Sequence, residues 1–93
     1  MALTFAAIQE DRYDEAVVHG SKLAQVSPNF GSHVMTYAVA LALAGRTDEG
    51  RPVCARALEI EPSWSISTAR TVGGDPKLME KYERAFRLLG IPE

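Results

Sequence analysis

A disulfide framework, a membrane span and a strong charge of either sign are all missing from this sequence. Cys54 is the one cysteine among 93 residues, so no disulfide can form within the chain, which fits a reducing compartment. The longest unbroken apolar run, Tyr37 to Ala44, is far too short to cross a bilayer. Met1 to Ile8 is largely apolar but carries no basic leader and too short an apolar core for a secretory signal, so a cytoplasmic location is expected. Ten lysines and arginines stand against 12 aspartates and glutamates, for a formal charge of -2 and a pI of about 5.7. That balance removes the long-range attraction to phosphate on which nucleic-acid binders rely. Neither nucleic acid nor a membrane is an expected partner.

Catalytic and metal-binding groupings are missing too. His19, His33 and Cys54 lack the close pairing of zinc ligands or of a Cys-His dyad. Cys54 reads as a small core residue. No glycine-rich phosphate loop occurs, and Gly73-Gly74 serves only to interrupt a helix. The acidic pairs Asp14-Glu15 and Asp48-Glu49 suit the positive ends of helices better than acid-base chemistry, because adjacent helical residues point apart. No enzymatic activity, metal or cofactor is expected.

What is present is a repeat. A shift of 34 residues lays Arg12 on Arg46, Asp14 on Asp48, Glu15 on Glu49, Val26 on Ile60, Pro28 on Pro62 and Phe30 on Trp64. A fixed period of that size signals stacked helical hairpins. Hydrophobic residues form 46% of the chain and charged residues 24%, enough for one small folded domain and no second one.

Apolar spacing predicts a short buried helix over Ala2 to Gln9, a polar turn, and a helix from Asp14 to Val26 stopped by Pro28. Ser32 is the expected N-cap of an alanine- and leucine-rich helix from His33 to Ala44, closed by Gly45 in a left-handed conformation. Thr47 is the expected N-cap of the next helix, Asp48 to Ile60, in which Pro52 should cause a local kink. A short helix is expected near Ile66 to Thr71. Asp75-Pro76 then opens a last helix that Gly90 ends. Its stripe of Leu78, Met79, Tyr82, Phe86 and Leu89 is strongly amphipathic. Glu80 with Arg84 and Glu83 with Arg87 are spaced to pair on its outer side, and Lys77, Lys81, Arg84 and Arg87 read as a solvated face.

The two hairpins resemble tetratricopeptide repeats. In the better copy, Gly31 to Trp64, Tyr37, Ala38 and Leu41 stand where that family has a leucine, a small residue and a tyrosine. Gly50, Cys54, Ala57 and Pro62 stand at its later alanine, bulky, alanine and proline positions. Gly50 and Cys54 depart from the pattern. The tail, from Pro62 and Trp64 through Asp75-Pro76 and Tyr82 to Leu89-Gly90-Ile91-Pro92-Glu93, resembles the C-terminal end of bacterial tetratricopeptide proteins attached to class III adenylate cyclase or winged-helix regulatory domains. None of the cyclase's nucleotide- or metal-binding machinery is present.

The resemblance implies an all-α array of about six helices in antiparallel hairpins, an α-α superhelix. It comprises a shortened repeat over 1–30, a complete one over 31–64, and a degenerate hairpin with a capping helix over 65–93. It further implies protein–protein interaction or intramolecular regulation, as the C-terminal part of a larger signalling protein such as an adenylate cyclase-like protein. A structural cap or a homodimerisation unit is the alternative, and a small stand-alone enzyme is a more distant one. The ligand face of such arrays is the concave side formed by the first helix of each hairpin, here Phe5, Ile8, Ser32, Met35, Thr36, Val39 and Leu43. The strip is mostly apolar and lacks the lysines and asparagines with which family members clamp a peptide's carboxylate. A protein or peptide with an apolar or helical segment, or a second copy of the chain, is the expected partner, unless the terminal helix folds back and fills the strip itself. If the strip is open, Met35→Glu abolishes association without unfolding the chain.

Overall fold

Every long segment with three- and four-residue apolar spacing is helical. The structure, a computed structural model, describes residues 2–69 and 76–91, and the side chains of 2–5 and 68–69 fall outside the description. Among the described residues there are six helices and no strand: α1 (Ala2–Gln9), α2 (Tyr13–Val26), α3 (Gly31–Leu43), α4 (Thr47–Ile60), α5 (Ile66–Ala69) and α6 (Pro76–Leu89). The chain is all-α. The expected Asp75 cap and the last residues expected in the short helix, 70–71, lie outside the described residues.

Helix α3 is the centre. Ten of its 13 residues are buried, from Gly31 and Val34 to Leu43, so it has no solvent face and needs neighbours all round. Helices α2 and α4 supply the most extensive contacts, and α6 packs on it as well. Short turns bring α2, α3 and α4 each back against the helix before it. The last helix does not extend this row. It returns to touch α1, α3, α4 and α5, and the folded chain measures 29 × 26 × 23 Å, nearly equal in all directions.

The turns show why the helices end where they do. After α3, Gly45 takes φ +80°, the Arg46 N–H bonds the Leu41 carbonyl and the Gly45 N–H bonds that of Ala42, the paired closure of a Schellman motif. Gly90 ends α6 in the same way, with φ +81° and the Ile91 N–H on the Phe86 carbonyl. At the end of α1 the same position is held by Asp11, with φ +60° and the Arg12 N–H on the Ala7 carbonyl. Asp11 lies one 34-residue period before Gly45, so the first turn uses an acidic residue where the second uses glycine.

The N-caps differ from expectation. Phe30 and Arg46 occupy the cap positions of α3 and α4 without side-chain cap bonds. Ser32 and Thr47 are already inside their helices. The Thr36 Oγ1 donates instead to the Ser32 carbonyl, and Arg46 pairs with Glu49 one turn on. Helix α4 runs through Pro52 from Thr47 to Ile60.

Gly50 marks the tightest crossing. A Cβ there would lie 3.1 Å from the Ala38 carbonyl oxygen, 3.2 Å from Leu89 Cδ2 and 3.3 Å from Leu41 Cβ. Glycine costs an interior helix position about 1 kcal/mol relative to alanine, yet alanine would force α3, α4 and α6 apart. Two of the three neighbours are backbone or Cβ atoms that cannot swing aside. Gly50→Ala is therefore expected to destabilise the chain by about 1 kcal/mol despite its better helix propensity, measured as a lower urea midpoint with unchanged m-value. A raised midpoint would show that the crossing has slack.

Candidate functional site

The strip implied as a ligand face belongs to α1 and α3, and α6 packs against both helices. Ile8, Met35, Thr36, Val39 and Leu43 are buried and Ser32 is half-buried. The side chain of Phe5 lies outside the described residues. Helix α6 buries Leu78, Tyr82, Ala85, Phe86 and Leu89, of which Tyr82 meets Thr36 of the strip, Phe86 meets Trp64 and Leu89 lies against Gly50 of α4. The folded chain thus has its own terminal helix over the strip, not an open groove.

Two adjacent residues of α6 fix its seat. The Tyr82 hydroxyl lies 3.2 Å from Thr36 Oγ1. The single hydroxyl proton of Thr36 already goes to the Ser32 carbonyl at 2.8 Å, so Tyr82 donates and Thr36 accepts. Burial pushes the Tyr82 phenol well above the ordinary tyrosine range, so the hydroxyl keeps the proton it donates. The ring sits 6.1 Å from Phe86, which also receives Trp64 edge-on at 6.0 Å.

Lys81 does not belong to a solvated face. Its Nζ donates to the Ile8 carbonyl at 2.8 Å, the Gln9 carbonyl at 3.0 Å and Asp11 Oδ1 at 2.7 Å, and its side chain is only 16% exposed. It caps the negative end of α1 from more than 70 residues away. No local pattern could reveal that pairing, because spacing rules on a helix see only three or four residues. Asp11, bonded by Lys81 and by the Tyr13 hydroxyl at 2.7 Å, is held below the usual carboxylate range and stays ionised. Arg87 does pair with Glu83, at 2.8 Å. Arg84 instead reaches the Tyr13 hydroxyl at 3.3 Å, and no ion pair joins it to Glu80 among the described residues.

Two further hollows are visible. An open, charged one of about 740 Å³ runs along the outer side of α6, between Lys77, Arg84 and Leu88 on one wall and Gln9 and Asp11 on the other. A shallower apolar one of about 310 Å³ lies between α2, α3 and α4, over Tyr37 and between Pro28 and Pro52. Among the described residues no group of three or more His, Cys, Asp or Glu side chains could hold a metal ion. Cys54 is buried, and burial raises its thiol pKa; the His33 ring lies tilted against that of Phe30, their centroids 4.6 Å apart. No helix among the described residues is long and apolar enough to cross a membrane. No protein-family model, curated protein or solved structure matches the chain.

The burial of Met35 changes what its substitution tests. Met35 has no exposed surface, so a glutamate there would place an unpaired carboxylate in the core. Met35→Glu is expected to unfold the chain, costing several kcal/mol, with loss of the helical circular-dichroism signal at 25 °C. A folded Met35→Glu chain would mean that the strip reaches water.

Proposed function

We propose that the chain is a protein-interaction module of the tetratricopeptide type that works intramolecularly, its last helix being the resident occupant of the strip on which such modules hold partner segments. The observation that supports this most directly is the seating of α6 through Lys81 on the end of α1 and through Tyr82 on Thr36 of α3. The 34-residue period supports the repeat type. The tail's likeness to adenylate cyclase-like and winged-helix proteins supports a place at the C-terminal end of a larger signalling protein. The role is not enzymatic and needs no cofactor.

Energetics decide how the strip can be used. Leu78, Tyr82, Phe86 and Leu89 are each worth about 2 kcal/mol on burial, so lifting α6 costs roughly 8 kcal/mol. A folded chain of 93 residues has only roughly 5–14 kcal/mol of stability in total. A competing segment must bury as much apolar surface as α6 does. A partner that leaves α6 in place meets its exposed Lys77, Glu80, Arg84 and Arg87. That charged outer face supports the second reading, a structural cap that closes an array of helices against solvent.

The native mass of the species in extracts of the cells that make it tests the reading. An antibody raised against the chain is expected to detect a covalent species much heavier than 10.1 kDa on a denaturing gel. A band at 10.1 kDa alone would overturn the placement in a larger signalling protein. Twice that mass under native conditions would favour pairing of two copies.

A further inference from the structure

We propose that α1 is a strap, locked shut by the contact of Lys81 with Asp11 and the end of α1, that opens as a unit separate from the α2, α3, α4 and α6 core. This goes beyond the reading above and holds whatever partner the module serves, because it concerns which helix moves.

Three observations carry it. Helix α1 has α2 and α6 alone as its main neighbours, whereas α3 is packed by α2, α4 and α6. The closing turn of α1 uses Asp11 at φ +60°, a conformation that aspartate tolerates better than most side chains but glycine better still, and the equivalent turn one period later uses Gly45. What the aspartate adds is a carboxylate held between the Tyr13 hydroxyl and Lys81 Nζ, each at 2.7 Å. The aspartate gives up some of glycine's freedom at this turn and supplies a carboxylate that glycine lacks.

The lock is complete in its donors and acceptors. The ammonium of Lys81 has three protons, and the carbonyls of Ile8 and Gln9 with the Asp11 carboxylate supply three acceptors. The Tyr13 ring lies 5.9 Å from the same nitrogen, and Arg84 reaches the Tyr13 hydroxyl. The three bonds of Lys81 join α1 and the turn after it to α6, and Tyr13 at the start of α2 joins that turn to Lys81 and Arg84. None involves α3 or α4. Releasing the lock frees Ile8 from the seat that α2 and α6 form for α1, while the contacts of α3 with α2, α4 and α6 are made without α1.

Amide exchange of the whole chain, read residue by residue under native conditions, tests the proposal in two variants. In Lys81→Met the amides of Ile8, Gln9, Glu10 and Arg12 should exchange about 10- to 100-fold faster, the loss of charge-assisted bonds, while those of α3 and α4 keep their rates. Asp11→Gly gives the sharper sign. Glycine relieves the turn, so if Asp11 were only a turn residue the α1 amides would slow; if it is half of the lock they quicken. Slower or unchanged α1 exchange in Asp11→Gly overturns the proposal, and so does a Lys81→Met change that α3 and α4 share equally.

Discussion

Burial of α3 on every side is the constraint from which the rest of the structure follows. A helix made of Val34, Met35, Ala38, Val39, Ala40, Leu41 and Ala42, with Thr36 among them, has no face that water can take. Helices α2 and α4 cover two sides, approaching closely because Gly20 and Gly50 leave room. A Cβ at Gly20 would come 3.0 Å from the Tyr37 Cα. The remaining side is the strip that a repeat array would offer to a partner. Here α6 covers it, and the one polar group on the strip's buried part, the Thr36 hydroxyl, is satisfied by Ser32 and Tyr82. A polar atom so placed costs free energy unless its bonds are made, so Thr36 and Tyr82 set where along α3 the last helix can sit.

This arrangement ties the two ends of the chain together. Lys81 and Tyr82 are neighbours on α6 but serve different helices, one the end of α1 and the other the middle of α3. The chain is therefore closed on itself, unlike an open stack in which each hairpin touches only the next. Closure has a functional consequence. The apolar strip is already part of the core, and the surface open to other molecules includes the charged outside of α6 and the apolar hollow over Tyr37.

The sequence made the helices legible because their signals are local. Pro28 and Pro62 stop chain segments, Gly45 and Gly90 close helices, and the stripe from Leu78 to Leu89 repeats every three or four residues. The strip of Ile8, Met35, Val39 and Leu43 was legible only through the resemblance to tetratricopeptide repeats, since local spacing does not join residues of two helices. Its cover was not, because amphipathic periodicity says that α6 must bury a stripe and not against which helix. Ser32 and Thr47 misled as N-caps: each has the right chemistry, but each helix starts a residue or two earlier, at Gly31 and at Thr47 itself. Lys81 misled most, since its acceptors are two backbone carbonyls and a carboxylate far along the chain. The comparison of Asp11 with Gly45 held the clue, a non-glycine residue at a turn that its own repeat builds with glycine.

The account turns on α6 being a fixed part of the core. Amide exchange of the α6 residues Tyr82 to Leu89, followed at rising sub-denaturing concentrations of guanidinium, measures the free energy and the surface exposed when that helix opens. If α6 is fixed, its amides open with the same free energy and the same denaturant dependence as those of Val39 to Leu43 in α3, because the two helices part only when the whole chain unfolds. Opening of α6 well below that free energy, with α3 still protected, would contradict the account and make the last helix an exchangeable occupant of the strip.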